Sequence, residues 1–104
     1  MGQTLNQVTR KTLIAGNWKM NGSFSANAAL LEGVSQGLSQ EISSAATGNL
    51  ISSEVLVCVP SVYLSQVSAL LVASDVKLGA QDVSAHRLGA YTGEVSAAML
   101  SEFA

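Results

Sequence analysis

Proline is nearly missing from this chain: Pro60 is the only one in 104 residues, and cysteine and histidine also occur once each, as Cys58 and His86. A single cysteine excludes an internal disulfide framework. With no Cys/His cluster there is also no ligand set for a metal, and none is expected. Charge is scarce at 12 % of residues, against about 25 % in ordinary globular chains. The net charge of −2 comes without a basic block, and aromatic residues (5 %) are not interleaved with basic ones. Nucleic acid is therefore not an expected partner. Long apolar runs are lacking too: the longest, about Val55 to Val59, is too short to cross a bilayer. The first residues, Met1-Gly2-Gln3-Thr4-Leu5-Asn6, lack the apolar core of a signal peptide. Asn6 stands where a myristoylation signal needs Ser or Thr. These absences predict a cytosolic protein without a membrane partner. No dinucleotide loop is present either, since Gly16 and Gly22 are six apart with Asn17-Trp18-Lys19 between them.

What is present reads as folded. Apolar residues make up 48 %, within the usual ~45–50 %. After a polar leader, residues 1–10, one phrase occurs three times over residues 11–104. Thr12–Lys19 reads as a strand, and Leu31, Val34, Leu38 and Ile42 then form one stripe at helical spacing between about Ser25 and Ile42. Gly33 and Gly37 in that helix suggest a close approach to the sheet. A loose connection, Ser43–Asn49, leads to Glu54–Val59, a continuous apolar run of the kind found in parallel strands buried on both faces. Pro60 ends it. A second helix from about Val62 to Ala73 carries Leu64, Val67, Leu70 and Leu71 on one side. A third strand spans Val76–Gln81, and a third helix starts near Ser96 with Met99, Leu100 and Phe103 inward. Strands alternating with helices predict right-handed βαβ units and a parallel sheet. A barrel and an open doubly wound sheet share this periodicity.

The chemistry concentrates at the end of the first strand, in Ile14-Ala15-Gly16-Asn17-Trp18-Lys19-Met20-Asn21-Gly22. A strand period of two points Leu13, Ala15, Asn17 and Lys19 to one face. Lys19 then lies at the carboxyl end, where parallel α/β folds place their ligand sites. An ammonium there attracts an anionic substrate, and a neighbouring amide can hold the lysine and donate to the ligand. Trp18, between them, turns outward toward the helical layer. Residues 82–95 form a second distinctive segment, long and aperiodic, with Leu88, Tyr91 and Val95 among its polar residues. Loops of this length in a compact domain are usually functional or disordered. Its apolar residues call for burial against something, most simply a partner subunit.

The Asn17-Trp18-Lys19-Met20-Asn21 run resembles the first strand of the triosephosphate isomerase family. The string Gly89-Ala90-Tyr91-Thr92-Gly93-Glu94 is similar to that family's third loop, with Tyr91 at its variable position. Gln81-Asp82 also matches, although most members carry Asn where Asp82 stands. Pro60-Ser61-Val62-Tyr63-Leu64 is like the segment after strand two, with Ser61 where a second proline is common. The resemblance runs from about Lys11 to Phe103. It implies the first three βα units of a (β/α)₈ barrel and interconversion of dihydroxyacetone phosphate and glyceraldehyde 3-phosphate through an enediolate, without cofactor or metal. It also implies Lys19 and Asn17 as catalytic residues and Asn17, Trp18 and Lys19 as the substrate-binding run. Gly89, Tyr91, Thr92, Gly93 and Glu94 become a homodimer loop whose threonine tip reaches the partner's strand-one residues. Glu94, which could pass for a general base, takes a salt-bridging role in that loop. His86 matches no motif and reads as a solvated or interface residue, and Cys58 as a small buried apolar one.

A full barrel needs about 250 residues. The family's electrophilic histidine (in a G-H-S-E run), its glutamate base with the closing lid, and its phosphate loops fall beyond Ala104. This family is itself the usual illustration of that division between base, electrophile and lid. The chain thus reads as an N-terminal portion of an isomerase. The competing reading is a short, non-catalytic interaction module that uses residues 82–95, and a third is another phosphate-handling barrel enzyme. Three βα units alone would leave an open sheet edge, which is an aggregation liability. Scarce proline, few charges and two helical glycines predict a source adapted to moderate or low temperature.

Overall fold

A computed structural model of the chain describes residues 10–45 and 53–103. The leader up to residue 9, and most of the connection expected over Ser43–Asn49, lie outside the described residues. Three parallel strands lie in the order in which they occur: β1 (Thr12–Asn17), β2 (Ser53–Val59) and β3 (Lys77–Ala80). Helix α1 (Phe24–Ala45) joins the first pair. A 3₁₀ turn (Ser61–Tyr63) running into α2 (Leu64–Leu70) joins the second, and a one-turn α3 (Ala97–Leu100) continues as 3₁₀ through Ser101–Phe103.

The register sets which side chains face the helices. Ile14 pairs with Val55 and Gly16 with Val57, while Val57 pairs with Leu78 and Val59 with Ala80. Parallel partners share a face. These residues therefore look toward the helices, and Leu13, Ala15, Asn17, Leu56, Cys58 and Gly79 look the other way. On the helix side Val57 and Val59 meet Leu31 of α1, Leu64 and Val67 of α2, and Leu71 and Val76 beyond it. Trp18, Val34, Leu38, Leu78 and Leu100 pack around that cluster. Val59 of β2 and Val67 of α2 are wholly buried in this cluster, each worth about 1.5–3 kcal/mol relative to exposure. On the opposite face Gly79 sits in close quarters: a Cβ there would stand 3.0 Å from the Cys58 Sγ and 3.2 Å from Leu56 Cδ1, so those side chains would have to give by a few tenths of an ångström.

Several expectations are corrected. The first strand ends at Asn17 rather than Lys19, because the backbone of Lys19 turns left-handed with φ 57°. The alternation that put Lys19 on the face of Asn17 stops there. Gly33 and Gly37 do not mark a close approach: no atom lies within 4 Å of the Cβ that either would carry, and both are exposed. Ile42 is 40 % exposed, since a helix of 22 residues runs about 33 Å and overhangs strands of about 23 Å or less. Leu70 and Met99 are about half exposed. In α3, which is one turn long, Leu100 alone packs against the cluster. β1 has one neighbour among the described residues, and Leu13 and Ile14 on it are more than half exposed.

The start of α1 is held by polar contacts. The Ser23 Oγ accepts from the Ala26 N–H at 3.1 Å, an N-cap. Asn27, only 2 % exposed, accepts from the Ser23 N–H and donates through Nδ2 to the Gln66 Oε1 at 2.9 Å. Gln66 in turn donates to the Phe24 carbonyl at 2.7 Å, and the Tyr63 hydroxyl to that of Gly22 at 3.0 Å. These bonds tie the turn after β1 to the first turn of α2.

Candidate active site at the strand ends

Asn17, the last residue of β1, sits opposite Cys58 in the register. The ladder gains one more rung as the Trp18 N–H donates to the Cys58 carbonyl at 3.0 Å. Then the chain turns. Lys19 is the only non-glycine residue with positive φ among those described, a conformation costing an L-residue about 1–2 kcal/mol. Both sides of its backbone are engaged: its N–H donates to the Asn17 Oδ1 at 2.8 Å, and its carbonyl accepts from the Gln81 Nε2 at 2.9 Å. The same Nε2 lies 3.1 Å from the Cys58 carbonyl and 3.4 Å from the Asn17 Oδ1. An amide nitrogen has two protons, so the two short contacts are its main bonds and the third is marginal. Gln81 thereby joins the carboxyl ends of all three strands around Lys19.

The bonds also orient Asn17. With Oδ1 engaged by the Lys19 N–H, the Nδ2 amino group is the end of the side chain left for a ligand. Asn17 and Lys19 are exposed, while Trp18 is half-buried and packs against the sheet–helix core. Of the three residues expected to bind substrate, the structure thus brings Asn17 and Lys19 together and sets Trp18 behind them. Asn21 donates through Nδ2 to the Trp18 carbonyl at 2.9 Å, which closes the turn.

Residues 82–95 fold on themselves. At the base, the Ser84 N–H donates to the Val95 carbonyl at 2.8 Å, and Ser84 Oγ donates to the Glu94 Oε1 at 2.6 Å while accepting from the His86 N–H. Higher up, the His86 and Tyr91 rings stack with centroids 3.9 Å apart and planes 1° from parallel. The Tyr91 ring folds over Gly89, where φ is 134° and a Cβ would come within 2.9 Å of it, so only glycine fits. A turn from Tyr91 to Glu94, closed by the Glu94 N–H to the Tyr91 carbonyl at 3.0 Å, presents Thr92 and Gly93. Gly89, Tyr91, Thr92, Gly93 and Glu94 are all exposed, and Leu88 is 74 % exposed. Among the described residues no hydrogen bond joins this tip to Asn17 or Lys19 of the same chain. His86 is exposed and stacked, and Cys58 is half-buried at the end of β2.

Gln81 and the Asn27–Gln66–Tyr63 network carry structural roles that the sequence reading did not assign. For Gln81 a signal existed: two residues past Gly79, it continues the non-helical face of β3 at the carboxyl end, as Asn17 does on β1. Two hollows flank the site, of about 1080 and 420 Å³, and neither is lined by Asn17 or Lys19. The larger is the uncovered flank of β3 beneath α2 and α3, an open sheet edge more than a ligand cavity. The smaller lies at the loop base beside Ser84, Gln81 and Glu94. No three Asp, Glu, His or Cys side chains among the described residues could together hold a metal, and no described helix is long and apolar enough to cross a membrane.

Comparison with known proteins extends these observations. The family model for triosephosphate isomerase matches residues 12–104. The triosephosphate isomerase of Albidiferax ferrireducens is 53 % identical over 94 residues, covering 90 % of this chain and 34 % of that protein. That of Paracidovorax citrulli is 54 % identical over 96 residues, covering 92 % and 36 %. Among solved structures, the triosephosphate isomerase of Bartonella henselae superimposes with a TM-score of 0.74 at 34 % identity, over 90 % of this chain and 35 % of its own. The three strands and their helices therefore correspond to the N-terminal βα units of a (β/α)₈ barrel, and the chain spans about a third of the length of these relatives. A left-handed lysine clasped at the ends of three parallel strands thus has its setting: the chain belongs to the triosephosphate isomerase family.

Proposed function

We propose that this chain forms the N-terminal third of a homodimeric, cytosolic triosephosphate isomerase that interconverts dihydroxyacetone phosphate and D-glyceraldehyde 3-phosphate through an enediolate, without cofactor. The observation that carries this reading is Lys19 held in a left-handed turn beside Asn17, at the carboxyl ends of the strands. Triose phosphates are anions, and proton transfer next to their carbonyl builds further negative charge on oxygen. Stabilising that charge requires cations and donors already in place in a dry pocket. Lys19 supplies the positive charge. Asn17, its carbonyl side engaged by the Lys19 N–H, offers its Nδ2 amino group to the reacting oxygen. The proton-transfer groups themselves come from the remainder of the barrel.

In this reading Gly89, Tyr91, Thr92, Gly93 and Glu94 enter the partner subunit, with Thr92 at the tip beside the partner's strand-one lysine. The loop's own bonds favour that use: a tip already ordered by the Ser84–Glu94 hydrogen bond and the His86–Tyr91 stack loses little freedom on docking.

The test is turnover of dihydroxyacetone phosphate by the full-length enzyme and by its Lys19→Ala variant. The variant is expected to lose orders of magnitude in kcat/KM, because the missing charge acts in a site of low dielectric. Retention of more than about a tenth of the activity, a barrier change under ~1.4 kcal/mol, would remove Lys19 from the mechanism.

A further inference from the structure

We propose that His86 is a positioning residue for subunit assembly: its ring braces Tyr91, and through Tyr91 holds the Thr92–Gly93 tip in the shape that docks on a second copy of this chain. This inference rests on the homodimer reading above. Residues 82–95 include two glycines with positive φ, 134° at Gly89 and 92° at Gly93. Such a backbone samples many shapes unless contacts between its two arms restrain it. At the base these contacts exist, since Ser84 bonds to the Val95 carbonyl and to the Glu94 Oε1. Above Ser84 the hydrogen bonds stay within one arm. On the ascending side the His86 N–H donates to the Ser84 Oγ at 3.0 Å. On the descending side the Tyr91 N–H donates to the Gly89 carbonyl at 2.9 Å, and the Glu94 N–H to the Tyr91 carbonyl at 3.0 Å. The ring stack crosses between the arms, with centroids 3.9 Å apart and planes 1° from parallel. Rings so placed shed water from the faces between them. Tyr91 is thereby met by His86 and by Gly89, and it opens the turn that presents Thr92. His86 thus acts through Tyr91. Without its ring the tip is left to sample other shapes, and the association itself must supply the ordering.

Dilution of the full-length enzyme tests this, with the dimer dissociation constant read by analytical ultracentrifugation and turnover of dihydroxyacetone phosphate followed over the same concentrations. His86→Ala and His86→Gln both remove the ring, and His86→Phe restores a ring without the imidazole nitrogens. The aromatic pair is lost once per loop and so twice per dimer. Each ring-less variant is therefore expected to raise the dissociation constant by roughly 10-fold or more, and His86→Phe to stay within about 3-fold of the wild type. Turnover of the ring-less variants should fall on dilution where the wild type holds, and return to near the wild-type value once the dimer re-forms at high concentration. In a Tyr91→Ala background the loss on removing the His86 ring should shrink to less than about 2-fold. Should one ring-less variant fail to fold, the other decides the outcome. An unchanged dissociation constant without the ring, a His86→Phe enzyme as weakly associated as His86→Ala, or an equal loss in the Tyr91→Ala background would each overturn the bracing role while leaving the homodimer intact. A wild-type enzyme that sediments as a monomer would overturn the homodimer reading and this inference together.

Discussion

At the scale of single residues, the polar side chains that matter here are those that settle backbone geometry. Asn17 and Gln81 satisfy the two sides of a strained lysine. Asn27 does the corresponding work where β1 turns into α1. It is almost fully buried, and replacing it by alanine leaves the Gln66 Oε1 and the Ser23 N–H without their partners. Orphaning such groups costs about 1–3 kcal/mol. Asn27→Ala is therefore expected to lower the melting temperature of the full-length enzyme by roughly 2–10 °C, with kcat nearly unchanged. A melting curve that coincides with the wild type would mean that water replaces both bonds without loss.

At the scale of elements, α1 contains a correctable weakness. Gly33 and Gly37 face open space, and glycine inside a helix is disfavoured by about 1 kcal/mol relative to alanine. Gly33→Ala and Gly37→Ala should each raise stability by about 0.4–1 kcal/mol, readable as a higher denaturant midpoint at constant slope. A fall in the midpoint would instead reveal that another part of the full-length barrel rests on that face. The loop of residues 82–95 makes a different prediction. Replacing Ala90–Gly93 by a short Gly-Ser turn in the full-length enzyme removes the tip and the support for the Tyr91 ring. If the loop enters a partner subunit as proposed, sedimentation should then show monomers, with turnover severely reduced because each active site would lose the tip supplied by its partner. An intact dimer with normal kinetics would leave the loop a surface feature and favour its use as a docking element for some other protein.

At the scale of the molecule, the described three strands leave apolar surface uncovered: Leu13 and Ile14 on β1, and the flank of β3. In a (β/α)₈ barrel such surfaces are interior or are covered by neighbouring units. The stability of the whole barrel is expected to be modest. One proline and 12 % charged residues leave little room for the loop prolines and ion-pair networks that accompany high melting temperatures. The full-length dimer should melt below about 75 °C by scanning calorimetry, and a transition well above that would place its stabilising features in the part of the protein beyond this chain.

The sequence by itself determined what depends on short-range periodicity and on local residue chemistry. The continuous apolar run at Val55–Val59, the apolar residues Val76 and Leu78 of the third strand, and the stripe Leu31–Val34–Leu38 sufficed for parallel strands alternating with helices, since burial selects those spacings wherever a sheet is covered. Asn17 and Lys19 were marked out by their place at the carboxyl end of the first strand together with the resemblance of the run around them to the family's first strand; the strand end alone fits a solvated lysine equally well. Long-range contacts were decided only in three dimensions. The register brought Gln81 to the carbonyl of Lys19, beside the left-handed turn that follows the end of β1 at Asn17. Strand alternation could not foresee it, because a period of two holds only while φ stays in the extended region. Glycines four apart on a helix looked the same in sequence whether they faced a sheet or open space. Packing alone chose, because a glycine's missing side chain matters only where something stands close enough to meet it.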